Sequence, residues 1–236
     1  VTAPSHPVIC GDCLPILQGM SDNYFEATVT SPPYNRVLEW SGGGPNARCH
    51  SFDRNKEHWY DDAMPEPEYQ EWQKAVVAEC LRVTAGPVFY THKIRYAWKR
   101  RGCIYHPLDW LRDFPIWCEI IWDRRGGAGG GSRRYVQSDE RVYMLGRPRK
   151  WHLGCGYSTV WSIPAVPNKQ HPCEFPEELV RRCIEPTTDP GDMVLDPFCG
   201  RGTTGIVALK MGRGFLGIDK RTDYCEMTRR NLGDVA

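Results

Sequence analysis

The chain has 236 residues, with 30 Lys or Arg against 29 Asp or Glu, and eleven cysteines. That length suits one domain with a substantial core, and 41% hydrophobic residues with nine tryptophans exclude an intrinsically disordered chain. Net charge near zero gives no bulk case for a nucleic-acid or membrane partner, and an odd cysteine count at this density excludes a small disulfide scaffold.

Pro7-Val8-Ile9-Cys10 is a strand stopped by Gly11-Asp12, and Phe25 to Thr30 is a second, ended by Ser31-Pro32-Pro33-Tyr34. Gly42-Gly43-Gly44-Pro45 and the polar segment after it read as a long loop. From Glu68 to Arg82 the spacing of Tyr69, Trp72, Val76 and Cys80 predicts an amphipathic helix. Gly86-Pro87 turns into a buried strand at Val88 to Thr91, and Pro107 to Arg112 reads as a short helix. Ile116 to Trp122 and Arg141 to Leu145 are two further strands. No full helix fits between them, so they are expected to pair antiparallel. Residues 126–132, Gly-Gly-Ala-Gly-Gly-Gly-Ser, fill the gap and read as a flexible loop. A helix opens at Glu177 and runs to about Ile184. The chain then alternates strand Met193 to Asp196, helix Thr203 to Met211, strand Phe215 to Asp219 and helix Thr222 to Leu232.

Seven strands with interspersed helices predict a single α/β domain over residues 1–236, with a mostly parallel sheet and one antiparallel strand. No apolar run reaches the roughly 18 residues of a membrane span and no signal-peptide pattern is present. The chain starts without Met, which fits a trimmed start, and the expected setting is cytoplasmic. Most of the cysteines read as buried small hydrophobes in a reducing compartment. Cys10-x-x-Cys13 has no second such pair, so core packing is preferred to zinc or redox chemistry, and no metal site is expected.

Charge is unevenly placed. Lys93 to Lys150 holds fourteen Lys or Arg against six Asp or Glu, while Ser51 to Glu79 holds three against eight. Aromatic residues interleave the basic stretch, as they do on phosphate-facing surfaces. His92 and His106 lie within it and have phosphate contact as one reading, with ordinary polar surface or satisfied interior groups preferred.

Asp196-Pro197-Phe198-Cys199-Gly200-Arg201-Gly202-Thr203-Thr204-Gly205 follows a strand and opens a helix, and Asp219 ends the next strand 19 residues past Gly200. Such glycines let backbone turn tightly against a ligand, and the acid accepts from ribose hydroxyls. Only 17 residues follow Asp219, too few for another strand. The strand at Pro7 to Cys10 must therefore complete the sheet, as in a circularly permuted order. That brings Asp12 to the same rim as Asp196 and Asp219.

Thr30-Ser31-Pro32-Pro33-Tyr34 upstream of Asp196 to Thr204 resembles the amino-DNA methyltransferases, in the permuted class whose catalytic motif precedes the cofactor motif. The resemblance covers nearly the whole chain, with Gly11-Asp12-Cys13, Cys80 to Val83, Ile121-Trp122-Asp123 and His171 to Pro176 in the family's order. It implies a Rossmann-like fold and S-adenosyl-L-methionine as cofactor. Asp219 would take the ribose hydroxyls, Asp12 the adenine amino group, and Phe198 would pack on the adenine. Cys13 falls within the short motif of Asp12. Asp196, Pro197, Gly200 and Gly202 would shape the pocket, Thr203 and Thr204 would donate to the carboxylate, and His171 and Pro172 would line that end. Phe175 stands where some members carry Lys.

The resemblance also implies the chemistry. Ser31 and the Pro32 carbonyl, held by Pro33, would accept from a target amine, with Tyr34 stacked on its base. The base is flipped from a duplex or already single-stranded. Residues 93–150 stand at the family's place for target recognition, with Arg100, Arg101, Arg124, Arg125, Arg133, Arg134, Arg147, Arg149 and Lys150 as DNA contacts. Their shortness leaves room for a second subunit, and a cognate restriction endonuclease is a partner of some such enzymes. Ser31 favours cytosine N4 over adenine N6. Cysteine-nucleophile chemistry at C5 is not expected, since Cys173 lies away from the catalytic motif. An NAD-linked oxidoreductase, a non-catalytic DNA-binding module and an RNA substrate are the alternatives.

Overall fold

The computed structural model describes residues 7–35, 64–97, 103–126, 135–152, 154, 156–166, 176–233 and 235. In chain order the elements are β1 (Val8–Cys10), α1 (Cys13–Gln18), β2 (Ala27–Thr30), α2 (Glu66–Val83), β3 (Val88–His92), β4 (Arg95–Ala97), β5 (Cys103–Tyr105) and α3 (Leu108–Leu111). They continue with β6 (Ile116–Asp123), β7 (Asp139–Leu145), β8 (Val160–Ser162), α4 (Glu177–Ile184), β9 (Met193–Asp196), α5 (Thr203–Lys210), β10 (Gly214–Asp219) and α6 (Thr222–Gly233).

Among the described residues eight strands form one sheet in the order β1-β10-β9-β2-β3-β7-β6-β8, and β4 with β5 makes a separate ribbon. Only β7 runs against its neighbours; every other pairing in the large sheet is parallel. The expected antiparallel pair is therefore present, and its partner strands β3 and β6 flank β7 on both sides. The first strand does complete the far edge, with Val8 opposite Gly217 and Cys10 opposite Asp219. The sheet has one strand more than the seven expected. In β8 only Trp161 is buried, so its sequence carries too little alternation to read as a strand.

Strand side chains alternate between two cores. Val29, Phe89, Met144, Val194 and Phe215 face α4, α5 and α6, where Leu179, Cys183 and Val207 close the layer. Val88, Tyr90, Tyr143, Leu195 and Leu216 face α1, α2 and α3, meeting Leu17, Tyr69, Val76 and Trp110. On α2 the buried residues Tyr69, Gln73, Val76, Val77, Cys80 and Val83 follow helical spacing, as expected. Gln73 is the polar exception, and it accepts the Tyr90 hydroxyl at 2.7 Å.

Cys13, Cys80, Cys183, Cys199 and Cys225 are buried, which fits their reading as small hydrophobes. Cys10 is exposed and corrects that reading for one residue, with its thiol 3.6 Å from the Thr222 hydroxyl. No helix among the described residues is long and apolar enough to cross a membrane. Residues 42–45 and 127–132 lie outside the described residues.

Candidate functional site

Parallel strands all end on one rim, which gathers Cys10, Thr30, His92, Asp123, Asp196 and Asp219. The turn after β9 is the most constrained part of it. Gly200 and Gly202 have φ of +52° and +84°, conformations that suit glycine. A Cβ on Gly202 would also stand 2.6 Å from Thr228 Cγ2, so α6 presses directly on the turn. Gly205 lets α5 close on the sheet, where a Cβ would meet the Phe215 ring at 2.6 Å.

Asp219 is buried and anchors this turn. One carboxylate oxygen accepts the Gly200 N–H and the other the Arg221 N–H, both at 2.9 Å. Asp12 ends its loop on the same rim, where its side chain caps α1 by accepting Leu14 N–H at 3.0 Å. The chain passes between them through a Gly11 N–H bond to the Asp219 carbonyl at 2.9 Å. Cys13 lies just inside, buried, with its thiol pushed up to about 12 chiefly by burial. Phe198 is half-buried and meets Trp72 edge to face at 5.7 Å, and Pro197 is buried beside it.

Asp196 ties the two motifs together. Its carboxylate accepts from Thr30 Oγ at 2.9 Å and Phe198 N–H at 3.1 Å on one oxygen, and from Thr204 Oγ at 2.7 Å on the other. Thr30 immediately precedes Ser31, so the glycine-rich turn and the proline motif are joined by one hydrogen bond. Thr204 is fully buried with its proton given to Asp196. That corrects its expected role as a donor to a ligand carboxylate. Thr203, at the first turn of α5, is buried too.

Burial raises the Asp196 carboxyl to about 7; Asp219 nearby adds to the rise, and the three donors oppose it. The native state thus holds a proton that the unfolded chain releases at ordinary carboxyl pH. Between about pH 4 and about pH 7 the folded form binds more protons, so stability falls as pH rises across that window and levels above it. Asp196→Asn should lack this slope. Urea midpoints at pH 5 and pH 8 should show the variant gaining on the wild type, and parallel curves would refute the assignment.

The Ser31 to Tyr34 segment is held from below. Tyr69 donates its hydroxyl to the Pro33 carbonyl at 2.7 Å and accepts from His92 Nε2 at 2.8 Å. Since a carbonyl only accepts, the Tyr69 contact places a proton on His92 Nε2, while Nδ1 faces the Lys93 backbone, 2.9 Å from its N–H and 2.8 Å from its carbonyl. His92 is fully buried and held neutral, far below the usual histidine range, by burial and by Arg95. It is a satisfied interior group, the plainer of its two sequence readings. Tyr34 packs on it with ring centroids 4.5 Å apart, and Ser31 Oγ donates to the Tyr34 hydroxyl at 2.9 Å. Tyr69 and Glu140, which accepts the Tyr34 hydroxyl at 2.9 Å, escaped the sequence reading. Tyr69 looks like one more apolar-face residue of α2, and Glu140 is one of many charges in a basic stretch.

The basic residues divide. Arg124 and Arg125 follow β6 onto the rim that holds Asp196 and Asp219, where Arg124 pairs with Glu140 at 2.9 Å and Arg125 donates to Ser162 Oγ at 2.8 Å. Arg147, Arg149 and Lys150 follow β7, which runs the other way, and reach the opposite rim. Lys150 there pairs with Asp189 and Asp192, and Arg149 approaches Glu26 at 3.8 Å. These three are withdrawn as DNA contacts. Arg100, Arg101, Arg133, Arg134, His171, Pro172, Cys173 and Phe175 lie outside the described residues. Among the described residues no group of three or more His, Cys, Asp or Glu is placed to hold a metal ion.

A family model described as "DNA methylase" matches residues 149–230. YhdJ of Escherichia coli, a DNA adenine methyltransferase, is 28% identical over 97% of this chain and 83% of its own length. The Type II methyltransferase M.BglII of Bacillus subtilis is 26% identical over 94% of this chain and 67% of its own. Among solved structures, the cytosine-N4-specific PvuII DNA methyltransferase superposes with TM-score 0.73, at 17% identity over 99% of this chain and 92% of that one. TTHA0409 of Thermus thermophilus, complexed with S-adenosyl-L-methionine, gives 0.68 at 21% identity, over 98% and 94%.

Proposed function

We propose that this chain, a member of the permuted S-adenosylmethionine-dependent amino-DNA methyltransferases, methylates the N4 amine of cytosine in DNA. It is a DNA methyltransferase with S-adenosyl-L-methionine as methyl donor. The observation that carries the reading is the Thr30–Asp196 bond, which sets the proline motif against the glycine-rich turn at one rim. The residues present suit the cofactor. Asp219 is a carboxylate acceptor at the strand end beside the glycine-rich turn, suited to ribose hydroxyls, Asp12 stands one strand away for the adenine amine, and Phe198 offers a partly exposed ring. Asp196, Pro197, Gly200, Gly202 and Thr203 form the wall of the pocket, with Cys13 as packing behind Asp12. Bound there, the cofactor supplies an electrophilic methyl group on a sulfonium.

An exocyclic amine conjugated to a ring is a poor nucleophile because its lone pair is delocalised. Ser31 Oγ and the Pro32 carbonyl accept from that amine and turn its lone pair out of the ring, toward the methyl group. Tyr34, packed against His92, is the residue assigned to stack on the base. Most of the acceleration then comes from proximity and orientation. Such an amine is inaccessible in a stacked duplex, so the base is flipped or single-stranded. Arg124 and Arg125 sit where the phosphates of that strand would pass, with Arg100, Arg101, Arg133 and Arg134 as further contacts. A second copy of the chain and a cognate restriction endonuclease are the partners we assign to it, and His171 and Pro172 are assigned to the methionine end of the pocket.

Adenine N6 is the second reading, favoured by the similarity to YhdJ. Labelled S-adenosylmethionine, unmethylated genomic DNA and nucleoside mass analysis separate the two. N4-methylcytosine is the expected product; N6-methyladenine would move the base assignment and keep the class. No transfer by folded protein to duplex or single strands would refute the activity.

A further inference from the structure

Glu140 is the second residue of β7, at the catalytic rim and apart from every motif that identifies the family, and it is only 8% exposed. Its two oxygens have separate partners. Oε1 accepts Arg124 Nη1 at 2.9 Å, and Oε2 accepts the Tyr34 hydroxyl at 2.9 Å. A carboxylate accepts and does not donate, so the single Tyr34 proton is committed to it. The Tyr34 oxygen is then an acceptor toward Ser31, whose Oγ lies 2.9 Å away and gives its proton in that direction. The outward-facing feature of Ser31 is therefore a lone pair. A residue 106 positions from Tyr34 thus fixes the polarity of the whole chain of oxygens.

We propose that Glu140 is the terminal proton acceptor of methyl transfer, reached from the target amine through Ser31 and Tyr34. This rests on the function proposed above. The amine lone pair forms the new C–N bond as the C–S bond breaks, and that electron pair goes to sulfur, leaving a neutral thioether. Positive charge moves to the amine nitrogen, which must lose a proton. Ser31 Oγ takes it while passing its own proton to the Tyr34 oxygen, and Tyr34 passes its proton to Glu140 Oε2. The products are a neutral methylamine and a protonated Glu140, so charge and protons balance. An ammonium on an aromatic ring is a strong acid, for which a carboxylate is an adequate base. Arg124 holds the other oxygen and keeps Oε2 turned to Tyr34. Glu140 touches no substrate and acts through the two hydroxyls.

Single-turnover methyl transfer from labelled S-adenosylmethionine to unmethylated genomic DNA tests this. Glu140→Gln and Tyr34→Phe should each slow transfer about a hundredfold, within the range of general-base contributions. Cofactor affinity should stay within about twofold. The double variant should be no slower than the slower single, because both cut one chain. Formate should restore part of the rate to Glu140→Ala and none to Glu140→Ala combined with Tyr34→Phe, a difference that a packing role would not produce. Wild-type rate in Glu140→Gln, or multiplicative losses in the double variant, overturns the relay. If Glu140→Gln does not fold, Tyr34→Phe decides alone: it keeps the stacking ring, and an undiminished rate overturns the proposal. A folded wild type that transfers no methyl group removes the activity and the relay together, whereas an active wild type with unaffected variants removes only the relay.

Discussion

Replacing Asp219 by alanine should weaken S-adenosylmethionine binding by a hundredfold or more while the protein stays folded. Asp219 is 3% exposed and ends β10, between the edge strand β1 and β9, facing the turn that would wrap the ligand. A hydrogen bond to a charged acceptor contributes about 1.5–3 kcal/mol, so losing a carboxylate that holds two ribose hydroxyls removes about two to four powers of ten in affinity. The same change also frees the Gly200 and Arg221 amides, both held at 2.9 Å, and loosens the turn itself. Asp219→Asn should fall between, since an amide offers one oxygen where the carboxylate offers two. Calorimetric titration of folded protein is the measurement, and a change under fivefold in Asp219→Ala would dismiss the ribose role. Tyr34→Ala should behave oppositely, cutting turnover far more than cofactor affinity. Equal effects of both variants on binding would contradict the assigned division of labour.

What the sequence made legible follows from what repeats along it. The short apolar run read as a buried strand at Val88 to Thr91, and the helical spacing on α2, are local patterns, and they fell where expected. The pairing of β1 with β10 also agrees with the permuted order expected from the sequence. Polar contacts between distant segments were not legible. Thr30 meets Asp196 across 166 positions and Tyr34 meets Glu140 across 106, and no spacing rule encodes such a meeting. The basic stretch misled for a related reason. Charge counted along the chain ignores direction, and β7 is antiparallel, so residues before it and after it reach opposite rims. Arg124 and Lys150 belong to one run of positive charge in sequence and to two ends of the sheet in space.

The clamp beneath the proline motif should have the largest effect on stability. Arg95 is 1% exposed, and its guanidinium meets both Glu66 oxygens at 2.6 and 2.8 Å. It lies over the rings of Tyr69, Tyr105 and Trp110 at 4.9, 5.1 and 5.8 Å, so the charge is enclosed by aromatic faces. Asn35, the residue after Tyr34, is buried at φ +52° and donates to the Met64 carbonyl at 2.8 Å and to Glu66 at 3.3 Å. The ion pair therefore fixes the end of the catalytic segment as well as the ribbon that starts at Arg95. Removing one partner of a buried pair strands the other charge and costs about 3–5 kcal/mol. Glu66→Ala should lower the urea midpoint accordingly, and it should reduce turnover because the segment from Ser31 to Asn35 loses its anchor. Replacing both partners with apolar side chains, Glu66→Leu with Arg95→Met, removes the stranded charge and should recover much of the stability. Turnover should remain low in that double variant, since Asn35 still lacks Glu66. Full recovery of turnover alongside stability would show that the pair serves folding alone and leaves the catalytic segment to Tyr69 and His92.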